Sequence, residues 1–125
     1  MKPLVLSLTI LGLFVFPCWA DDAPEKVATQ LSVLLEATQN NDLDTFESVC
    51  DEKMQEAMTA ELLTNVSKQV SALMKSGYQP SYMGHIDKLS HKTYYWKVDF
   101  DTDNAPDLLA VMTIANGKVA GFILR

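Results

Sequence analysis

The sequence predicts an α+β fold: three helices first, then a four-stranded, mostly antiparallel sheet. Two observations carry this. Apolar residues recur at helical spacing up to Met74 and then alternate from about Tyr78 onward, a single switch of period that separates helices from strands instead of interleaving them. Near the end, Asn116-Gly117 stands between two apolar runs and is the strongest hairpin signal in the chain, because a type I′ turn needs positive φ at both central residues.

Residues 1–20 are read apart from the fold. Met1-Lys2, an apolar run from Pro3 to Phe16 and then Pro17-Cys18-Trp19-Ala20 have the basic start, apolar core and small terminal residue of a secretory signal peptide. The run is short for a membrane span, which needs about 20 apolar residues. Cleavage after Ala20 is expected, with an acylated Cys18 as the alternative start. The remaining residues 21–125 make one domain outside the cytoplasm, with no membrane span once the signal is removed.

The first helix is expected from Pro24 to Gln39. Asp22 and Glu25 form a capping-box-like start, and Val27, Leu31, Leu34 and Leu35 repeat on one face. Asn40-Asn41-Asp42 is a turn. A second helix then carries Leu43, Phe46, Val49 and Cys50 and continues toward Met54 and Met58. Thr59 caps a third, whose buried face is expected to be Leu62, Val66, Val70, Leu73 and Met74, and Gly77 closes it.

Strands are expected over Ser81 to Leu89, Thr93 to Asp101, Asp107 to Ile114 and Val119 to Leu124, with Tyr94, Trp96, Val98 and Phe100 on one face of the second. A regular two-residue hairpin pairs Ile114 with Val119, Met112 with Gly121 and Ala110 with Ile123. The opposite face then holds Val111, Phe122, Leu109 and Leu124. Both faces of this hairpin are apolar, so something covers the second: another copy in a sheet-to-sheet homodimer, an apolar ligand, the N-terminal segment, or the sheet itself if it wraps around the helices.

Leu35, Asn41-Asp42 before Phe46, Met54 with Met58-Thr59-Ala60-Glu61-Leu62, Gly77, Val98 to Phe100 and Gly117-Lys118-Val119-Ala120-Gly121-Phe122 together resemble the nuclear-transport-factor-2-like superfamily. More narrowly, the chain is similar to a bacterial extracytoplasmic family of unknown function that is sometimes joined to α/β-hydrolase domains. The resemblance implies a cone in which a curved sheet wraps around the helices. It spans nearly all of residues 21–125, and none of its positions is catalytic. The family often has an aromatic residue in the third helix, where this chain has only Val66 and Val70.

Charge and cysteine content exclude several functions. Ten Lys and Arg against sixteen Asp and Glu give net charge −6, and loss of residues 1–20 removes Lys2 and no acid. With basic residues scattered singly there is no stripe for a phosphate backbone, so nucleic acid is excluded as a partner. Cleavage leaves Cys50 without a disulfide mate. It sits at apolar spacing with Asp51 and Glu52 beside it, which suits burial better than reactivity. Two His and one Cys without ligand spacing give no zinc site. Asp99, Asp101 and Asp103 resemble the opening of a calcium loop, but Asn104 stands where the turn glycine belongs and Ala110 where the bidentate Glu belongs. No metal or cofactor is expected.

Two functional readings remain. One is a non-catalytic domain that binds a protein partner or a small apolar ligand, with Tyr82, Tyr94, Trp96 and Phe122 as the ligand-binding residues, since aromatic rings with polar tips suit an amphipathic cavity. The plain alternative for the same residues is core packing. The other follows from the resemblance: ketosteroid-isomerase-like members use a carboxylate base and a tyrosine donor, which Asp87 or Asp99 and Tyr82 or Tyr94 could supply. Strand alternation turns Asp99 away from Tyr94. His85 and Asp87, two apart on one strand, could form an orienter and base pair. No G-x-S-x-G elbow is present for a serine nucleophile beside His91.

Overall fold

The computed structural model describes residues 22–125; the expected signal segment, with Cys18 and the cut at Ala20, lies outside the described residues. Four helices precede the sheet: α1 (Glu25–Asn40), α2 (Leu43–Glu47), α3 (Glu52–Ala57) and α4 (Ala60–Lys75). The strands are β1 (Tyr78–Asp87), β2 (Lys92–Phe100), β3 (Leu108–Ala115) and β4 (Lys118–Leu124), antiparallel in the order β1-β2-β3-β4. The expected α+β class and curved four-stranded meander are therefore present. Among the described residues no helix is long and apolar enough to cross a membrane.

The expected second helix is two helices, because the chain between them has a different task. Val49–Asp51 runs extended beside β4: the Val119 amide donates to the Val49 carbonyl at 2.9 Å and the Asp51 amide to the Val119 carbonyl at 2.8 Å. This covers part of the β4 edge and satisfies backbone groups that a continuous helix would have used internally. Asp51 then caps α3, its carboxylate accepting from the Met54 amide at 2.8 Å. Thr59 caps α4 as expected, but the stripe facing the core is Leu63, Ser67, Val70 and Met74, while Leu62 is about half exposed. The expected capping box at Asp22 is absent. Pro24 occupies the cap position of α1 and makes no side-chain cap bond, as suits a residue with fixed φ at a helix start.

The core lies between α1, α4 and the inner face of the sheet, where Leu31, Leu34, Leu35, Phe46, Leu63, Val98, Met112 and Val119 are nearly solvent-free. Gln30 ties α1 to the last hairpin by donating to the Gly117 carbonyl at 2.9 Å. That hairpin has the expected turn, with Asn116 at φ 53° and Gly117 at φ 79°.

The expected register holds only for its first pair. Ile114 faces Val119, but Thr113 then pairs with Gly121, Met112 with Phe122 and Ala110 with Leu124, leaving Ala120 as an extra residue. A bulge of this kind moves every later side chain to the opposite face. Phe122 and Leu124 therefore pack inward. The outer face receives Gly121 and Ile123, beside Val111, Thr113, Tyr95 and Thr93.

Candidate functional site

β1 carries a second bulge. Tyr82 pairs with Trp96 and Gly84 with Tyr95, so Met83 is the extra residue, and His85 pairs with Tyr94. In a regular strand residues 82 and 85 would point to opposite faces; here both lie across from the inward-facing Trp96 and Tyr94. Gly84 makes this possible. Its φ of +133° is open to glycine and hostile to other residues, although no heavy atom lies within 4 Å of where a Cβ would stand. The requirement is therefore conformational, not spatial.

The bulge gathers four rings. Tyr82 lies 5.6 Å from Trp96 and 6.4 Å from Tyr94 between centroids, and His85 lies 5.6 Å from Tyr94. Tyr94 and Trp96 are themselves 6.1 Å apart and almost buried, whereas Tyr82 is half-buried and His85 exposed. These separations suit tilted aromatic packing, each pair adding roughly 0.5–1.5 kcal/mol beyond burial.

A polar chain runs along the rim of the cluster. The Tyr82 hydroxyl lies 3.0 Å from His85 Nδ1, and His85 Nε2 lies 3.3 Å from an Asp87 carboxylate oxygen. A carboxylate only accepts, so Nε2 carries a proton; in the neutral ring Nδ1 is then the acceptor of the Tyr82 O–H. With His85 and Asp87 side chains 45% and 62% exposed, water screens the pair and its worth to stability is small. Its role is to set direction: Asp87 orients the imidazole and the imidazole orients the phenol.

Two grooves meet at Tyr82. One, of about 250 Å³, is lined by Asp22, Pro24, Tyr82, Gly84, His85, Lys92 and Tyr94. The other, of about 280 Å³, runs between α1 and β1 over Leu31, Ser32, Pro80, Tyr82 and Trp96, with Asp22 at its mouth. Each is close to the lower end of the range of small-molecule sites. A larger depression of about 680 Å³, wide open to solvent, is lined by Asp51, Glu52, Lys53, Glu56, Ser90 and Asn116.

Of the four residues expected to bind a ligand, the structure brings together Tyr82, Tyr94 and Trp96 and sets Phe122 apart. Phe122 is on the opposite edge strand, packs edge-on against Phe46 at 6.0 Å, and lines an apolar interior cavity of only about 50 Å³ with Thr38, Met58 and Leu63. Of the candidate bases, Asp87 joins the cluster through His85. Asp99 instead pairs with Lys97 at 3.5 Å. His91 lies in the β1–β2 turn, 3.3 Å from the Ser90 hydroxyl. Sequence reasoning missed Asp22 and Pro24 as groove walls. It also missed the bulge, whose one signal is Gly84 inside a strand pattern.

The electrostatics add limits on the chemistry. Burial, then the charges of Asp51 and Glu47, pushes the Cys50 thiol up to about 12, and its sulfur donates to the Phe46 carbonyl at 3.2 Å. A thiol so placed is a packing group and no nucleophile. Among the described residues the buried polar side chains are Gln30, Thr38 and Ser67, and none is a carboxylate. No group of three or more metal-ligating side chains is gathered among the described residues.

Comparison with known proteins gives three solved chains of similar structure, two of which follow. The chain is similar to an uncharacterized cystatin-fold protein from Novosphingobium aromaticivorans, with TM-score 0.44 and 11% identity over 82% of this chain and 99% of the other. It is also similar to a candidate polyketide cyclase from Sinorhizobium meliloti, with TM-score 0.44 and 14% identity over 82% of this chain and 100% of that one. No protein-family model matches the sequence, and no curated protein matches it.

Proposed function

We propose that the protein is an extracytoplasmic binding domain of nuclear-transport-factor-2-like architecture that holds a small, flat, amphipathic ligand in the two grooves that meet at Tyr82. The observation that carries this reading is the ring cluster itself. Tyr82, with the edges of Tyr94 and Trp96, forms an apolar wall, and the Tyr82 hydroxyl, His85 and Asp22 stand along its rim. Apolar contact area beside a few fixed polar groups is what an amphipathic site needs. The apolar cavity beside Phe122, about 50 Å³, is too small for such a ligand, which favours the grooves over the Phe122 end. The isomerase alternative asks for a buried base beside an enclosed cavity, which Asp87 on the exposed rim does not supply.

Native mass spectrometry of the protein released gently from its own compartment tests this. A reproducible small-molecule adduct is expected, lost in Tyr82→Ala and kept in Phe122→Ala. An adduct indifferent to Tyr82→Ala, or no adduct at all, overturns the groove as the site and turns the search to protein partners.

A second surface supports a homodimer. Tyr95, Val111 and Ile123 lie side by side in one row across three strands of the outer face, and Ile123 is 50% exposed. The bulge at Ala120 makes this patch smaller than a regular hairpin would, because Phe122 and Leu124 turn inward. Val111 is the position to charge, since Ala110 is buried on the inner face. Val111→Asp is expected to halve the sedimenting mass; an unchanged mass removes this face as an interface.

A further inference from the structure

We infer that Tyr82 is an activated phenol: the geometry gives its hydroxyl a general base in His85 and gives that base an orienting carboxylate in Asp87, so that an electrophile seated in the groove is attacked by the Tyr82 oxygen. The argument does not rest on the ligand reading above, because it concerns the reactivity of one oxygen.

Four observations converge. The Tyr82 hydroxyl oxygen lies 3.0 Å from His85 Nδ1, a distance at which the neutral imidazole can take its proton during attack. The far nitrogen of the same ring faces Asp87 at 3.3 Å, which fixes the tautomer and stabilises the imidazolium as it forms. Both contacts depend on a bulge whose Gly84 adopts φ +133°, a backbone state that brings residues 82 and 85 to one face. Bulges are enriched next to active sites, where they re-aim a side chain. Finally, Tyr82 lines both grooves, so this side chain borders space that a small molecule can enter. The same order of groups, hydroxyl to imidazole to carboxylate, activates serine in hydrolases. Here the hydroxyl is a phenol and the three residues lie within one edge strand.

The class of reactant is a small acyl or sulfonyl compound with a good leaving group. With an ester, the Tyr82 oxygen forms a bond to the acyl carbon and the ester C–O bond breaks. The phenol proton passes to His85 Nδ1 and then to the departing alkoxide, leaving O-acyl tyrosine and an alcohol. Asp87 touches no reacting atom and is a positioning residue.

An aryl sulfonyl fluoride is the direct probe. The oxygen–sulfur bond forms, the sulfur–fluorine bond breaks, fluoride leaves, and the proton passes through His85 to water. Tyr78 and Tyr95 are half-buried like Tyr82 and neither bonds a histidine among the described residues, so they serve as controls on the same molecule, compared in the Val111→Asp background because Tyr95 lies in the proposed dimer face. Peptide mapping by mass spectrometry should find Tyr82 labelled at least about tenfold faster than Tyr95, a modest share of what general-base assistance gives in enclosed sites. His85→Ala should lower Tyr82 to the rate of Tyr95, and added imidazole should restore it, which a merely structural histidine would not allow. Asp87→Asn should give an intermediate rate, and Asp87→Glu should recover it. Equal rates at Tyr82 and Tyr95 in the Val111→Asp background, or a Tyr82 rate untouched by His85→Ala, would overturn the proposal. So would a His85→Ala loss that imidazole does not reverse. A circular dichroism spectrum for each variant separates lost reactivity from lost fold.

Discussion

The inner face of the sheet has two aromatic ends, and they put similar side chains to different use. At the β4 end Phe46 and Phe122 meet edge-on beneath α2 and α4, and little more than 50 Å³ is left unfilled. At the β1 end Tyr82, Tyr94 and Trp96 pack at similar distances but are roofed only by the start of α1, and two grooves remain. Each end has a bulge in its edge strand, Ala120 in one and Met83 in the other. What differs is the covering. The Val49–Asp51 segment covers the start of the β4 edge at Val119, whereas β1 is left as an edge strand with Pro80 and its bulge as the features that discourage pairing. A ring cluster becomes core or candidate site according to whether a second layer of chain reaches it.

The contrast breaks most sharply by truncation. Phe46 is 1% exposed, so Phe46→Ala is expected to cost about 3–5 kcal/mol, the range for removing a buried aromatic side chain. Tyr82→Ala, at the half-buried end, should cost well under half as much. Urea unfolding of the two variants against the parent checks this, and comparable losses would mean that the open end is as much core as the closed one.

Next in size is the β1 bulge. Gly84→Ala meets no steric obstacle, so its cost is the backbone strain of φ +133°, on the order of 1–3 kcal/mol. The informative readout is local. If the strand relieves the strain by moving the bulge, residues 82 and 85 part to opposite faces and the Tyr82–His85 contact is lost, visible as a shift of the His85 ring signals by NMR. An unmoved spectrum would show that the bulge does not depend on glycine. At the closed end the corresponding test is the joint that seals it: Asp51→Ala removes the cap of α3 and should cost about 1 kcal/mol, again by urea unfolding.

These effects also mark where the sequence was readable. The change of period at Gly77 and the Asn116-Gly117 turn are local signals: the turn formed where expected, and the first strand follows the change of period directly, at Tyr78 and not at the expected Ser81. The α2–α3 break was not readable, because Leu43, Phe46, Val49, Cys50 and Met54 keep helical spacing, while the cause of the break is a backbone bridge to Val119, 69 positions beyond Cys50. The Ala120 bulge had no compositional mark. A regular register is the natural default after a two-residue turn, and it misplaced Phe122 and Leu124. Chemical type alone places Phe122 with Tyr82, Tyr94 and Trp96, whereas two bulges and a sheet four strands wide set it at the other edge.

The smallest expected effect concerns Asp42, which starts α2 at the closed end. Its carboxylate accepts from the Thr45 hydroxyl at 2.6 Å and from the Thr45 amide at 3.2 Å. The hydroxyl bond first, and the backbone bond second, hold its pKa below the ordinary 3.8. Both bonds favour the charged form, so the folded chain binds the proton less readily than the unfolded chain does. The stabilisation is then complete above the unfolded value and is lost as pH falls through the lower folded one. Thr45→Ala removes the larger of the two causes and should move the Asp42 titration back toward 3.8, read from its carboxyl carbon by NMR. Because the group is fully exposed, the change in unfolding midpoint should be slight and confined to pH below about 4. An Asp42 titration unmoved by Thr45→Ala would assign the shift to the backbone amides at the start of α2 instead of to the threonine hydroxyl.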